Sequence, residues 1–175
     1  MLTCGHIEPL WNINEFKELD YKFDKHKDRD YLNYLEKLGH SQDAMAMYNY
    51  FEPNPMPAGV YDHILPSFAL TDASVAVNYF KPGQYIPTHV DLFSRYLELH
   101  NVTLQDIVRV IVMLEDSQPG QIIQICSDTI GKWKAGDWFG WDAEDPHAFY
   151  NLSEHDRYAI QITGTKLLTN SLLCV

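Results

Sequence analysis

Two side chains of metal-ligand type stand two residues apart in the run Asn78–Phe93, "NYFKPGQYIPTHVDLF": His89 and Asp91. On an extended strand, residues at i and i+2 point the same way, so Tyr85, Pro87, His89 and Asp91 are expected to share one face. An imidazole and a carboxylate presented together can clasp one metal ion from a single strand. This is a borderline-hard donor set, better suited to Fe(II) than the thiolate-rich sets of structural zinc. A third ligand must come from another strand, and His147 in "WDAEDPHAFYNLSEHDRYAIQITG" is the candidate. His155 competes for that role, but it sits between Glu154 and Asp156 in an expected turn, where a solvated histidine belongs. Three ligands on one face of an octahedron leave three adjacent positions open, as in catalytic rather than structural sites.

Arg157 follows the distal histidine on the next expected strand. A turn over Ser153–Asp156 would make His147 and Arg157 neighbours on adjacent antiparallel strands. Arg157, Ala159, Gln161 and Thr163 then share one face, while Tyr158, Ile160 and Ile162 share the other. The first face would line a barrel mouth and the second would pack under a covering layer. A guanidinium in such a mouth can fork two hydrogen bonds onto a carboxylate. The net charge of −11 makes an inward arginine more informative, because positive charge is scarce in this chain.

The elements that must position these residues change character along the chain. Residues 1–52 are expected to form a helical N-terminal layer. Phe16, Leu19, Phe23, Tyr31, Tyr34, Leu35 and Leu38 recur at roughly helical spacing, with Asn14 as a cap and Gly39 as a stop. A second helix is expected over Gln42–Phe51, capped by Ser41. Residues 53–67 are too rich in proline for a helix or central strand and read as a loop bordering a site. Residues 68–165 then carry short strands between the turn signals KPGQ, SQPG, KAGD and DAEDP. The strands expected are Ser74–Phe80, Gln84–Asp91, Ile107–Glu115, Ile122–Cys126, Gly131–Lys134, Asp137–Trp141, His147–Leu152 and Tyr158–Gly164. The run "LFSRYLELHN" between the second and third of these is a helix or a mobile flap. The fold class is therefore mostly β: one domain, a double-stranded β-helix (jelly roll, cupin-like) with an N-terminal helical layer.

His89, Asp91, His147 and Arg157 together resemble the Fe(II)/2-oxoglutarate dioxygenase superfamily, whose pattern is His-X-Asp, a distal His and an Arg beyond it. The "NY…GQY.P.H.D" stretch is similar to the prolyl 4-hydroxylase type. "KWKAGDWFGWDAEDPHAFYNLSEHDR" is similar to aspartyl/asparaginyl β-hydroxylases. The resemblance spans about residues 75–165. Asp91 departs from the second type, which often lacks the carboxylate ligand, and Arg157 departs from the first, which commonly has Lys there. The resemblance implies Fe(II), 2-oxoglutarate and O₂, with ascorbate as reductant and release of succinate and CO₂. It implies hydroxylation of an amino-acid side chain, peptidyl or free, or of a small metabolite. By the first likeness Tyr79 or Tyr85 would hydrogen-bond the co-substrate; by the second, Arg109 would meet its other carboxylate.

Composition removes other classes. Hydrophobic residues make up 46% and charged residues 21%, as in ordinary globular proteins. The longest apolar runs are far too short to span a bilayer, so no membrane partner is expected. No leader-like N-terminal stretch stands out, and a cytoplasmic setting is expected. The clearest basic cluster, Lys22, Lys25, Lys27 and Arg29, is interleaved with Asp24, Asp28 and Asp30; it reads as a solvated helix face rather than a nucleic-acid stripe. Cys4, Cys126 and Cys174 form no CxxC pair, which indicates neither zinc knuckle nor disulfide framework. Trp133, Trp138 and Trp141 are expected in core or rim packing, and Arg95 on a solvated face. Two rival readings stay open. One is a cupin-type metal-dependent enzyme that does not use 2-oxoglutarate, which "GWDAEDPHAFYN" with His147 and Asn151 partly mimics. The other is a non-catalytic binding module.

Overall fold

The strands of this computed structural model, which describes residues 2–25 and 29–167, are in chain order β1 (Thr3–His6), β2 (Lys22–Lys25), β3 (Ala46–Phe51), β4 (Leu70–Phe80), β5 (Gln84–His89) and β6 (Ile107–Met113). They continue with β7 (Gln121–Ile125), β8 (Asp128–Ile130), β9 (Asp137–Asp142), β10 (His147–Asn151) and β11 (Arg157–Lys166). A seven-stranded sheet in the order β1-β9-β6-β11-β4-β3-β2 faces a four-stranded sheet in the order β5-β10-β7-β8, with all pairings antiparallel. From β4 onward the chain crosses repeatedly from one sheet to the other, so the expected jelly roll is present.

Two apolar layers hold it together. Between the sheets lie Phe80, Ile86, Ile111, Met113, Trp141 and Phe149, among others. On the far face of the large sheet, Val75, Val77, Val110, Val112, Ile160 and Ile162 pack under Phe16, Val60, Ile64 and Phe68. Strand β6, "IVRVIVM", is buried along its whole length, as a β-branched central strand covered on both faces should be. Burying each such Val or Ile contributes about 1.5–3 kcal/mol. Gly136 turns into β9 with φ +91, and a Cβ there would stand 2.0 Å from the Ile7 carbonyl, so the close seating of the N-terminal strand requires glycine.

The N-terminal layer differs from the expected one. It contains α1 (Ile13–Lys17), capped by Asn12 rather than Asn14, and α2 (Arg29–Lys37), after which Gly39 has a left-handed φ of +94. The segment 42–51 is not a helix: Ala46–Phe51 is strand β3, and Lys22–Lys25 is strand β2, both extending the large sheet. Tyr48 and Tyr50 alternate with Met47, Asn49 and Phe51, a period of two that helical spacing of the surrounding aromatics hides. Within the Pro-rich stretch, Val60–Ile64 forms a π-helical turn and Leu65–Ser67 a 3₁₀ turn, and their apolar residues cover the large sheet. The expected strand at Gly131–Lys134 falls earlier, at Asp128–Ile130. The "LFSRYLELHN" run contains α3 (Ser94–His100). Cys4 and Cys126 are free and exposed. His26, Lys27, Asp28 and Cys174 lie outside the described residues. Among the described residues no helix is long and apolar enough to cross a membrane.

Candidate metal centre

Strand β5 carries an extra residue. His147 pairs with His89 while Phe149 pairs with Ile86, so two steps along β10 match three along β5. A bulge of this kind reverses which residues face inward beyond it. Ile86 and His89 both turn toward the space between the sheets, and Tyr85 turns away to stack on Tyr150 and bond His40 Nδ1 at 2.7 Å. The shared face expected for Tyr85 and His89 is corrected on that ground. Asp91 follows two residues past the strand end, and the chain then turns sharply at Phe93, whose φ of 51 is costly for a bulky residue.

The structure brings His89, Asp91 and His147 together, each offering one ligand atom within 4.8 Å of the others. The Nδ1–H of His89 donates to the Pro87 carbonyl at 2.9 Å, and that of His147 to the Asp145 carbonyl at 3.0 Å. These bonds fix both tautomers and aim both Nε2 atoms at the carboxylate. His89 Nε2 lies 3.6 Å from Asp91 Oδ1, and His147 Nε2 lies 3.5 Å from Asp91 Oδ2. The rings sit 4.3 Å apart, with Trp141 against His147 at 4.9 Å. Burial raises the Asp91 carboxyl, but His147, His89 and Arg109 outweigh it and hold it well below the ordinary range. Among the described residues no other group of three such side chains converges.

Two buried arginines share the cavity with the triad. Arg109, on β6, donates from Nη2 to Asp91 Oδ2 at 2.7 Å and lies 4.8 Å from the Phe93 ring. Burial draws its pKa down and Asp91 partly restores it. Arg157, at the start of β11, is 3% exposed and sits between Phe80 and Phe149, at 4.7 and 5.2 Å from their rings. All three of its guanidinium nitrogens lack a hydrogen-bond partner among the described residues, and burial lowers its pKa to about 9. A buried charge left unpaired is expensive.

The expected hairpin between His147 and Arg157 does not form. β10 belongs to the small sheet and β11 to the large one, so the two residues face each other across the sandwich. The chain crosses at a corner held by Asn151, whose Nδ2 donates to the carbonyls of Phe80 and His155 at 2.9 and 2.8 Å. Asn151 thus belongs to the corner and not to the metal cluster. The alternation along β11 is nonetheless as expected, with Tyr158, Ile160 and Ile162 on the covered face. Tyr79 also lies on that face, stacked on Tyr158 at 4.8 Å, so it is not brought to the cavity. His155 and Arg95 are exposed, and Trp133, Trp138 and Trp141 are buried. Gln161 lines the cavity, as expected for the face it shares with Arg157, and so does Asn78, which sequence reasoning missed. A lone Asn in the apolar run Val75–Phe80 was the available signal.

The donor set fits a metal ion: two imidazoles with their Nδ1–H groups tied back, and one carboxylate oriented by an arginine. The unpartnered Arg157 fits the far carboxylate of a dicarboxylate co-substrate. The enclosed volume is about 50 Å³. Admitting such a molecule therefore requires side chains to turn aside, as interface rotamers commonly do.

No protein-family model matches the chain, and no curated protein matches it. Among solved structures, a prolyl-4-hydroxylase from Pseudomonas putida is similar over 89% of this chain and 97% of that one, with 13% identity and a TM-score of 0.52. A predicted oxalate decarboxylase from Thermotoga maritima matches over 69% of this chain and 81% of that one, with 12% identity and a TM-score of 0.42. A cupin domain from Bordetella pertussis Tohama I matches over 69% and 94%, with 11% identity and a TM-score of 0.41. At such identities the likeness concerns the fold. The chain is a mostly-β protein of the cupin-like, double-stranded β-helix kind, with N-terminal helices and a His-Asp-His triad suited to a metal ion.

Proposed function

We propose that this chain is an Fe(II)- and 2-oxoglutarate-dependent oxygenase that hydroxylates a C–H bond of an amino-acid side chain or small metabolite. The observation that carries the reading is Arg157, an unpartnered buried guanidinium in the same cavity as the triad. A metal-dependent enzyme acting on a neutral substrate has no use for such a group, whereas a dicarboxylate co-substrate needs one. His89, Asp91 and His147 would hold the iron, which when bound would supply O₂ activation coupled to decarboxylation of 2-oxoglutarate to succinate and CO₂, with ascorbate as reductant.

The protein's own residues do the positioning. Arg157 forks onto the distal carboxylate and fixes the co-substrate's direction. Phe80 and Phe149 flank that guanidinium and exclude water from it, which strengthens the contact. Arg109 holds Asp91 in the orientation that presents it to the two Nε2 atoms. Ile86 and Ile111 close the cavity with apolar surface.

The test is anaerobic titration of the purified chain with Fe(II) and 2-oxoglutarate, read as a visible metal-to-ligand charge-transfer band. The band should appear in the parent and be absent in His89→Ala and His147→Ala. An unchanged band in those variants sinks the assignment. Activity that persists undiminished without 2-oxoglutarate would move the chain to the metal-dependent enzymes that do not use it.

A further inference from the structure

A line of polar side chains crosses the inner face of the large sheet from its edge into the cavity. Asp24, on edge strand β2, accepts a hydrogen bond from Asn49 Nδ2 on β3 at 3.0 Å. Asn49 Oδ1 in turn accepts from Asn78 Nδ2 on β4 at 2.7 Å. An ionised carboxylate only accepts, so Asp24 dictates which end of the Asn49 amide faces it, and Asn49 dictates the same for Asn78. The polarity propagates inward, and the row ends in an acceptor, Asn78 Oδ1.

That oxygen belongs to a residue only 3% exposed that lines the cavity with His89, Asp91 and His147. No donor among the described residues reaches it. Gln161 stands diagonally across β11 from Asn78, lines the same cavity, and likewise has no side-chain hydrogen bond among the described residues. 2-Oxoglutarate brings only acceptors at neutral pH and cannot satisfy Asn78 Oδ1. Asn78 Oδ1 therefore opens onto the cavity as an acceptor whose direction two further residues fix, and a ligand that strips water from it must bring a donor.

We propose that Asp24, Asn49 and Asn78 form the substrate-recognition row, and that the group they read is an N–H donor: a carboxamide, an ammonium or a guanidinium. Calling the ligand a substrate rests on the oxygenase reading; its donor chemistry does not.

The test uses the full chain with Fe(II) under argon and without 2-oxoglutarate, titrated calorimetrically with N-acetyl, C-methylamide amino acids. Asparagine is paired with aspartate, glutamine with glutamate, and lysine and arginine with norleucine. The pairs share their backbone groups, and the arms separate amide from cationic donors. At least one donor-bearing probe should bind, with its partner weaker by about 10-fold or more, since mismatch leaves the buried acceptor unpaired. Asn78→Leu should abolish that preference. Asp24→Asn keeps the size and removes the polarity, and should reduce the preference even if the first variant folds poorly. Failure of every donor probe to bind, equal affinity within all pairs, or an unchanged preference in both variants overturns the proposal. Donor-selective binding without succinate release would leave the row standing and remove the oxygenase reading. Succinate release stimulated equally by donor and acid probes would do the reverse.

Discussion

Arg109 and Arg157 stand on neighbouring strands of the large sheet, face the same cavity and are both buried, yet the fold treats them oppositely. Arg109 meets Asp91 at 2.7 Å, and its charge is answered within the chain. Arg157 has aromatic rings beside it and, among the described residues, no acceptor. A guanidinium paired internally orients another residue. One kept unpaired among rings is destabilising until an anion from outside reaches it. The two ends of the cavity therefore differ in what they offer: the triad end presents ligand atoms suited to a cation, and the Arg157 end a guanidinium suited to an anion.

The sharpest way to break this contrast is Arg157→Leu. Affinity for 2-oxoglutarate should fall by about 100-fold or more, the loss of a charge-assisted forked contact. The ligand-free protein should meanwhile become more stable by about 1–3 kcal/mol, because a buried unpaired charge is replaced by apolar volume. Calorimetric titration and denaturant midpoints measure the two, and a destabilised variant would mean that Arg157 is answered within the fold after all. The same contrast has a pH signature. Folding lowers the Arg157 pKa to about 9, so the unfolded chain holds this proton more tightly. Parent stability relative to Arg157→Leu should rise as pH passes upward through about 9, while 2-oxoglutarate affinity declines over the same interval.

Arg109→Leu should act at the other end. Metal affinity should drop by about 10–100-fold, as for lost partners of metal ligands, with a smaller effect on 2-oxoglutarate. Equal losses of both ligands would show that Arg109 also contacts the co-substrate. The smallest effects belong to the two tyrosines. Tyr79→Phe and Tyr85→Phe should change 2-oxoglutarate affinity by less than about twofold, since neither hydroxyl faces the cavity and a hydrogen bond at an outside site contributes little.

What could be read in advance followed how local the information was. The residue types and chain order of His89, Asp91, His147 and Arg157 were legible because ligand chemistry is carried by side-chain identity. So was the alternation along β11, since the two faces of a strand are written every second residue. The route between His147 and Arg157 was not, because the same short turn can close a hairpin or cross between sheets. The side-chain bonds of Asn151 that hold the crossing involve the distant Phe80. The bulge in β5 was equally hidden: an extra residue is visible only against the register of its partner strand. Strand β2 read as helix because Phe16, Phe23, Tyr31 and Tyr34 happen to recur at helical spacing, and β3 because Ser41 offers a cap; sheet pairing overrode both local signals. Asn78 drew no notice because its meaning lies in Asn49 and Asp24, which are distant in sequence.

Trp141 gives this site an optical consequence. Its indole is fully buried and its ring centre lies 4.9 Å from that of His147, so it senses whatever His147 Nε2 binds. An open-shell ion held by His147 would quench indole emission, while a closed-shell ion such as Zn(II) would leave most of it. The difference spectrum between the parent and Trp141→Phe would then report metal loading directly, without label, co-substrate or turnover.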